Sequence, residues 1–255
     1  MNTSLEAMAL AGRIIMENGG ETYRVEETVT HLGHAFGVQE VQAFAIPSGI
    51  FISCRGTDGE TVTQILRIHP GNTDLSRVDA VNQVSRQAEA GALGPREALA
   101  ALRRIAETPS PYSQRFRVLA AGFCALGFTL MFAGGPLEAL TSFVTAALVQ
   151  LLAWLLDKAE VKSAVTCLFR GYVTTLLPMA FFALLGRGSL DPTVGGALMP
   201  LLPGLTMTIA VQDLLRGDTV SGSSHLLQAT IVAAMVAAGA LFAAMTMRML
   251  GGLGA

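Results

Sequence analysis

The sequence is poor in charge. Lysine, arginine, aspartate and glutamate make up 14% of its 255 residues, against about 25% in an ordinary soluble domain. The shortage is uneven: 13 of the 19 acids and 9 of the 17 bases fall in residues 1–113, which leaves 6 acids and 8 bases for residues 114–255. A single soluble domain is therefore excluded, and the pattern predicts a soluble half joined to a membrane half. Cysteine is also scarce. Cys54, Cys124 and Cys167 show no paired spacing, which excludes a disulfide framework and a cysteine-built metal site. The net charge of −2 lacks the basic excess that nucleic-acid binding needs. No long apolar run opens the chain, because Glu6, Arg13 and Glu17 interrupt it, so no secretory leader is expected. Nothing in the composition calls for a cofactor.

What is present in residues 1–113 predicts an α+β domain, helices around a small antiparallel sheet. Thr3-Ser4-Leu5-Glu6 reads as a capping box that opens a first helix, with Leu5, Met8, Ala9, Gly12, Ile15 and Met16 as its apolar stripe. Gly19-Gly20 ends it, and a second helix is expected from about Tyr23 to Phe36. Three β-branched and aromatic runs follow, 41–46, 50–54 and 61–68, separated by Pro47-Ser48-Gly49 and Thr57-Asp58-Gly59-Glu60. Both separators have turn chemistry, so a meander is expected. A break at Pro70-Gly71-Asn72 precedes two more helices, the second opened by Gly94-Pro95. Glu107-Thr108-Pro109-Ser110-Pro111 reads as a stiff linker.

Residues 11–27 gather Arg13, Glu17, Glu21, Tyr23, Arg24, Glu26 and Glu27 around a Gly-Gly turn. Two readings stay open: a solvated corner whose charges pair at the surface, or a polar site or docking surface that presents Tyr23 and Arg24. An acid–base pair of Glu17 and Glu26 is conceivable on paper. His31 and His34, spaced i,i+3 with no third ligand nearby, read as a surface pair.

Residues 114–255 carry five stretches of the roughly 20 apolar residues that a hydrocarbon core requires: 118–135, 137–156, 164–185 with Pro178 inside, 193–215 and 226–247. In the last, Ala229, Ala233 and Ala237 have the small-xxx-small spacing of a helix-packing face. Arg103, Arg104, Arg115 and Arg117 precede the first span, Lys158 and Lys162 lie between the second and third, and Arg216 between the fourth and fifth. The other side holds only Arg187 and Arg248. The bias places the N-terminal half in the cytoplasm and the C-terminus outside.

The fourth stretch is the unusual one. Pro200, Pro203 and Gly204 interrupt it, and Gln212, Asp213, Arg216 and Asp218 follow. Proline removes a backbone donor and clashes with the preceding turn, so a break is predicted near 199–204. Such breaks persist at membrane depth where protein or a wet cavity satisfies the freed groups, and in transporters they build substrate sites. Candidate path or coupling residues are therefore Arg170, Pro200, Pro203, Gly204, Thr206, Thr208, Gln212, Asp213 and Asp218. Each has a plainer reading. Asp213 can cap the helix or pair with Arg216, Arg170 can snorkel, and the two threonines can bond their own backbone. Glu138 reads as solvated at the outer interface, and Asp157 and Lys158 as the end of the second span.

Two stretches together resemble the threonine/serine exporter family. Residues 11–28, AGRIIMENGGETYRVEET, match its Gly-x-Glu-Thr-Tyr turn followed by Arg-Val-Glu, carried here by Gly20, Thr22, Tyr23, Arg24, Val25 and Glu26. Residues 203–222, PGLTMTIAVQDLLRGDTVSG, match its Pro-Gly, then Asp, then Gly-Asp-x-x-Ser-Gly, carried by Pro203, Gly204, Asp213, Gly217, Asp218 and Gly222. Longer members continue into a second membrane half, so this chain resembles the large subunit of the split, two-chain type. The resemblance implies proton-driven efflux of small hydrophilic metabolites, with threonine and serine or dicarboxylates such as succinate as substrates. It also implies a small multi-span membrane partner, an oligomer and an inner-membrane location. The competing readings are a membrane-tethered enzyme using Glu17 and Glu26, and a regulatory subunit.

Overall fold

The computed structural model describes residues 2–56, 59–69, 71, 73–110, 112–158 and 163–251. The expected turn residues Thr57, Asp58, Pro70 and Asn72, together with Pro111 and Lys162, lie outside them. The described residues form ten α-helices and three strands, and they divide into two compact units. One comprises Met1–Ser110 with Met207–Leu226; the other comprises Pro111–Thr206 with Leu227–Ala255.

In the first unit, helix α1 (Asn2–Glu17) is the core element. Met8, Ala11 and Ile15 are fully buried, against Val25, Val29 and Leu32 of α2 (Thr22–Ala35) and Ile50 and Ile52 of the sheet. The first turn of α1 already contains Thr3 and Ser4, so the expected capping box lies inside the helix, and buried Ser4 packs instead of capping. Strands β1 (Gln39–Ile46), β2 (Gly49–Arg55) and β3 (Thr61–Arg67) form the expected antiparallel meander in the order β1-β2-β3. The pairs Ala45↔Ile50 and Ile50↔Leu66 set the face turned to the core, and Phe44, Phe51 and Ile65 stand on the other. Helices α3 (Leu75–Glu89) and α4 (Pro95–Glu107) close the core with Val78, Val81, Leu99 and Leu102. Pro95 opens α4, where Glu97 caps by accepting from the Gly94 N–H at 2.9 Å.

The second unit is helical. It contains α5 (Gln114–Met131), α6 (Pro136–Lys158), α7 (Ser163–Leu185), α8 (Leu190–Leu198) and most of α10 (Thr219–Met249). Helices α6, α7 and α10 are long and apolar enough to cross a membrane, and a third or less of each apolar window is buried. A fourth candidate is the broken pair that α8 makes with α9 (Gly204–Leu215). The remaining expected span, 118–135, falls on α5, which is not among them: the helix stops at Met131, and Gln114, Arg115 and Arg117 fill its first turn. Helix α7 continues unbroken through Pro178.

The break between α8 and α9 is present. After α8 the chain makes a 3-10 turn at Met199–Leu201, then extends at Leu202 (φ −74°, ψ 139°), and α9 restarts at Gly204 after a 60° bend. Pro203 has no N–H to give and pushes the residue before it out of the helical region. Close packing between α7 and α10 rests on glycine. A Cβ at Gly239 would collide with the Leu168 carbonyl and the Tyr172 N–H, and one at Gly171 with the backbone of Val236. The predicted alanine face is therefore displaced: Ala229 is buried, but Ala237 is exposed, and the packed face runs through Val236, Gly239 and Ala243.

Candidate functional site

The first sequence motif and the Asp213–Gly222 part of the second meet inside the first unit. A turn centred on Gly217, at φ +88°, ends α9 and is closed by the Asp218 N–H donating to the Asp213 carbonyl at 2.9 Å. Two residues later α10 begins, so Asp213, Asp218, Ser221 and His225 all lie within one bend of chain. This bend sits on the start of α2. The Thr22 hydroxyl, fully buried, lies 3.3 Å from Asp213 Oδ1 and 3.3 Å from Asp218 Oδ2. A hydroxyl has one proton to donate, so it serves one carboxylate at a time. Asp213 is 1% exposed, and its second oxygen, Oδ2, is 3.0 Å from His225 Nδ1. Asp218 Oδ1 accepts from the Ser221 N–H at 3.2 Å. The buried Ser221 hydroxyl donates to the Ala45 carbonyl at 3.4 Å, and the Ala45 N–H donates to Glu26 Oε1 at 2.9 Å. Strand β1 is thereby tied to both motifs.

The charges around this cluster are sorted. Arg216 does not pair with Asp213, as one reading had it. Its guanidinium lies over the Tyr23 ring, 3.5 Å from the centroid. Arg24 donates from Nε to Glu21 Oε2 at 2.8 Å and from Nη2 to the Tyr23 hydroxyl at 3.3 Å. Burial pushes the Glu21 carboxyl up, but the Arg24 hydrogen bond, a backbone bond and the charges of Arg24 and Arg216 bring it below its ordinary value. Glu26 is the opposite case. Burial raises its pKa, the Ala45 N–H offsets part of that, and the charges of Asp218 and Asp213 raise it further.

Thr22, Tyr23, Glu26, Asp213 and Asp218 thus come together. Arg24 stands beside them through Tyr23. Gly20 forms the preceding turn, where any side chain would strike Ile15. Glu17, at the end of α1, takes part in none of these bonds, and Gln212 is exposed on α9. Pro200, Pro203 and Gly204 form the break itself, with Thr206 half-buried and Thr208 exposed just beyond it. In the second unit, Arg170 does more than snorkel: its Nη2 donates to Gln150 Oε1 of α6 at 3.3 Å. Glu138 accepts from the Ser189 N–H at 3.0 Å. Lys158, the last residue of α6, lies over the Trp154 ring. The side chain of Asp157 lies outside the described residues. His31 pairs with Glu89 at 2.7 Å, both partly exposed. Ser221 and His225 went unnamed as sites. Their i,i+4 spacing on α10, after the acidic Gly-Asp turn, was the signal available.

A family model described as "Putative threonine/serine exporter" matches residues 6–247. A "Probable threonine/serine exporter" of Mycobacterium tuberculosis is 23% identical over 231 residues, 89% of this chain and 43% of its own length. A "Probable succinate transporter subunit YjjP" of Klebsiella aerogenes is 25% identical over 235 residues, 91% of this chain and 89% of its own. A "Threonine/serine exporter" of Corynebacterium glutamicum is 24% identical over 174 residues, 66% of this chain and 35% of its own. The chain spans less than half the length of the two exporters and most of the transporter subunit. No solved structure matches it. The family is one of transporters and not of enzymes, which sets aside the acid–base reading of Glu17 and Glu26. With the match running from Glu6 to Met247 through both motifs, the chain belongs to the threonine/serine exporter family.

Proposed function

We propose that the chain is the membrane subunit of an exporter that moves small hydrophilic metabolites out of the cell, driven by protons. One observation carries this reading. Asp213, 1% exposed, ends the second limb of a broken apolar helix pair and is hydrogen-bonded to α2 and facing a histidine of α10. An ionised carboxylate only accepts hydrogen bonds, whereas a protonated one also donates. A proton gained or lost there therefore changes what holds α9 in place. The break supplies unwound backbone of the kind that lines substrate sites in transporters. The path runs along Pro200, Pro203, Gly204, Thr206 and Thr208 toward Gln212, Asp213 and Asp218, and Arg170 neutralises an anionic group of the substrate.

The names of the relatives support two substrate classes, threonine or serine and small dicarboxylates such as succinate. The relative that the chain covers most fully is named a subunit, which supports a small multi-span membrane partner in an oligomeric assembly. Residues 1–113 form a cytoplasmic gate with Tyr23 and Arg24 near its mouth, residues 114–255 the five-span membrane domain, and the C-terminus lies outside the inner membrane. The test is efflux of labelled threonine, serine and succinate from loaded vesicles carrying the full chain and its partner, with and without a pH gradient. Asp213→Asn is expected to lower gradient-driven efflux to the gradient-free level. Unchanged coupling removes Asp213 from the mechanism.

A further inference from the structure

We infer that His225 is the group that takes up and releases a proton beside the buried carboxylate cluster. The inference rests on the exporter reading above and names a residue that reading does not need. His225 Nδ1 lies 3.0 Å from Asp213 Oδ2, and the imidazole side chain keeps 12% of its exposure where Asp213 keeps 1%. The imidazole is thus the side of the pair that reaches water. In the neutral tautomer protonated at Nδ1, that N–H donates to Asp213 and Nε2 holds a lone pair. A proton from water adds at Nε2 and gives an imidazolium that still donates to Asp213. Its return to water restores the neutral ring. One N–H bond forms and breaks, and no other reactant takes part.

The surrounding charges leave this role to His225. Asp213 of α9, Asp218 of the turn and Glu26 of α2 contribute carboxyl groups. Of the nearby cations, Arg216 is engaged over Tyr23 and Arg24 with Glu21. Thr22 carries the signal onward. When His225 is charged, Asp213 holds a strong donor, and the single Thr22 hydroxyl proton turns to Asp218. When His225 is neutral, Asp213 competes for that hydroxyl again. One proton at the foot of α10 thereby alters the bonds that join α9 to α2.

The experiment compares wild type with His225→Asn, whose amide keeps a donor toward Asp213 but does not titrate near neutral pH. His225→Gln serves as a second variant, and size-exclusion profiles establish that each inserts intact. The full chain with its partner is reconstituted, and two rates are read for the same substrate: efflux driven by a pH gradient, and substrate-for-substrate exchange without one. Both variants are expected to keep exchange and to lose gradient-driven efflux by about a hundredfold, the low end of what a positioned acid–base group contributes. Their efflux should also lose its dependence on pH. Gradient-driven efflux kept by either intact variant overturns the role of His225 and leaves the exporter reading standing. Loss of exchange together with efflux in an intact variant also overturns it, because that is a structural histidine. If wild type itself exports without regard to the gradient, the proton-driven reading falls and takes this inference with it.

Discussion

Thr22 offers one proton to two carboxylates, which makes it a sensitive position. Thr22→Val keeps the shape and removes the donor that Asp213 Oδ1 and Asp218 Oδ2 share. We expect a loss of about 1–3 kcal/mol, the cost of an unsatisfied buried acceptor, read as a lower unfolding midpoint of the detergent-solubilised chain, with Thr22→Ser near wild type. Glu26 makes a pH prediction. Burial first, and then the charges of Asp218 and Asp213, hold its pKa above the ordinary carboxyl value. The folded state then binds the proton more tightly than the unfolded state, so stability is highest below the ordinary value. It falls as pH rises from there through the raised one. Glu26→Gln keeps an acceptor for the Ala45 N–H and should flatten that decline in pH-dependent unfolding. These residues show what a sequence conveys. Thr22, Asp213 and Asp218 stood out by type and motif, but a hydrogen bond spanning 191 positions has no local signature. His225 follows Ser223 and Ser224, so it reads as part of a polar helix start until Asp213 is seen opposite it.

Breaks and strands were legible because local chemistry dictates them. Pro203 forces Leu202 into extended backbone whatever the surroundings, and β-branched runs between turn residues pair as a meander. Helix faces in the membrane half were not. Nearly every position of α10 from Ala229 to Ala244 is apolar or small, so spacing alone cannot choose among several possible packing faces. The alanine series matched a motif, yet the contact formed where Gly171 and Gly239 let two backbones meet. This distinction is testable. Gly239→Ala must push α7 and α10 apart and is expected to cost about 1–3 kcal/mol, as overpacking does. Ala237→Leu, on an exposed face, should leave the unfolding midpoint unchanged. Equal effects at the two sites would show that the helices do not meet through Gly239. The end of α5 is a related case: the helix stops at Met131, short of the expected end at 135.

Residues 1–110 and 207–226 belong to one compact unit; in the membrane arrangement proposed above, the end of α9 and the start of α10 therefore share a side of the bilayer with the N-terminal domain. The chain between them must then cross an even number of times. Helices α6 and α7 with the broken pair give three crossings, which is odd. Two arrangements restore parity. Either α5 crosses as well, making five spans with α10, or the broken pair dips in and leaves by the face it entered, making three. Both put the end of α10 on the far side, so locating the C-terminus cannot separate them. We favour five. Residues Val118–Met131 span about 21 Å at 1.5 Å per residue, short of a hydrocarbon core of about 30 Å, but Arg115 and Arg117 can lay their apolar stems along the difference. Leu119, Phe123, Leu130 and Met131 stand exposed on this helix, as lipid-facing side chains do. The discriminating sites are the turns at Ala133 and Arg187. With the native cysteines Cys54, Cys124 and Cys167 replaced, single cysteines at Ala133, Arg187 and Ala92 are probed with a membrane-impermeant maleimide. In the orientation proposed above Ala92 is cytoplasmic, so it should label only after permeabilisation. Five spans require Ala133→Cys and Arg187→Cys to label in intact cells. A three-span chain with a re-entrant α8–α9 pair would leave both silent until the membrane is opened.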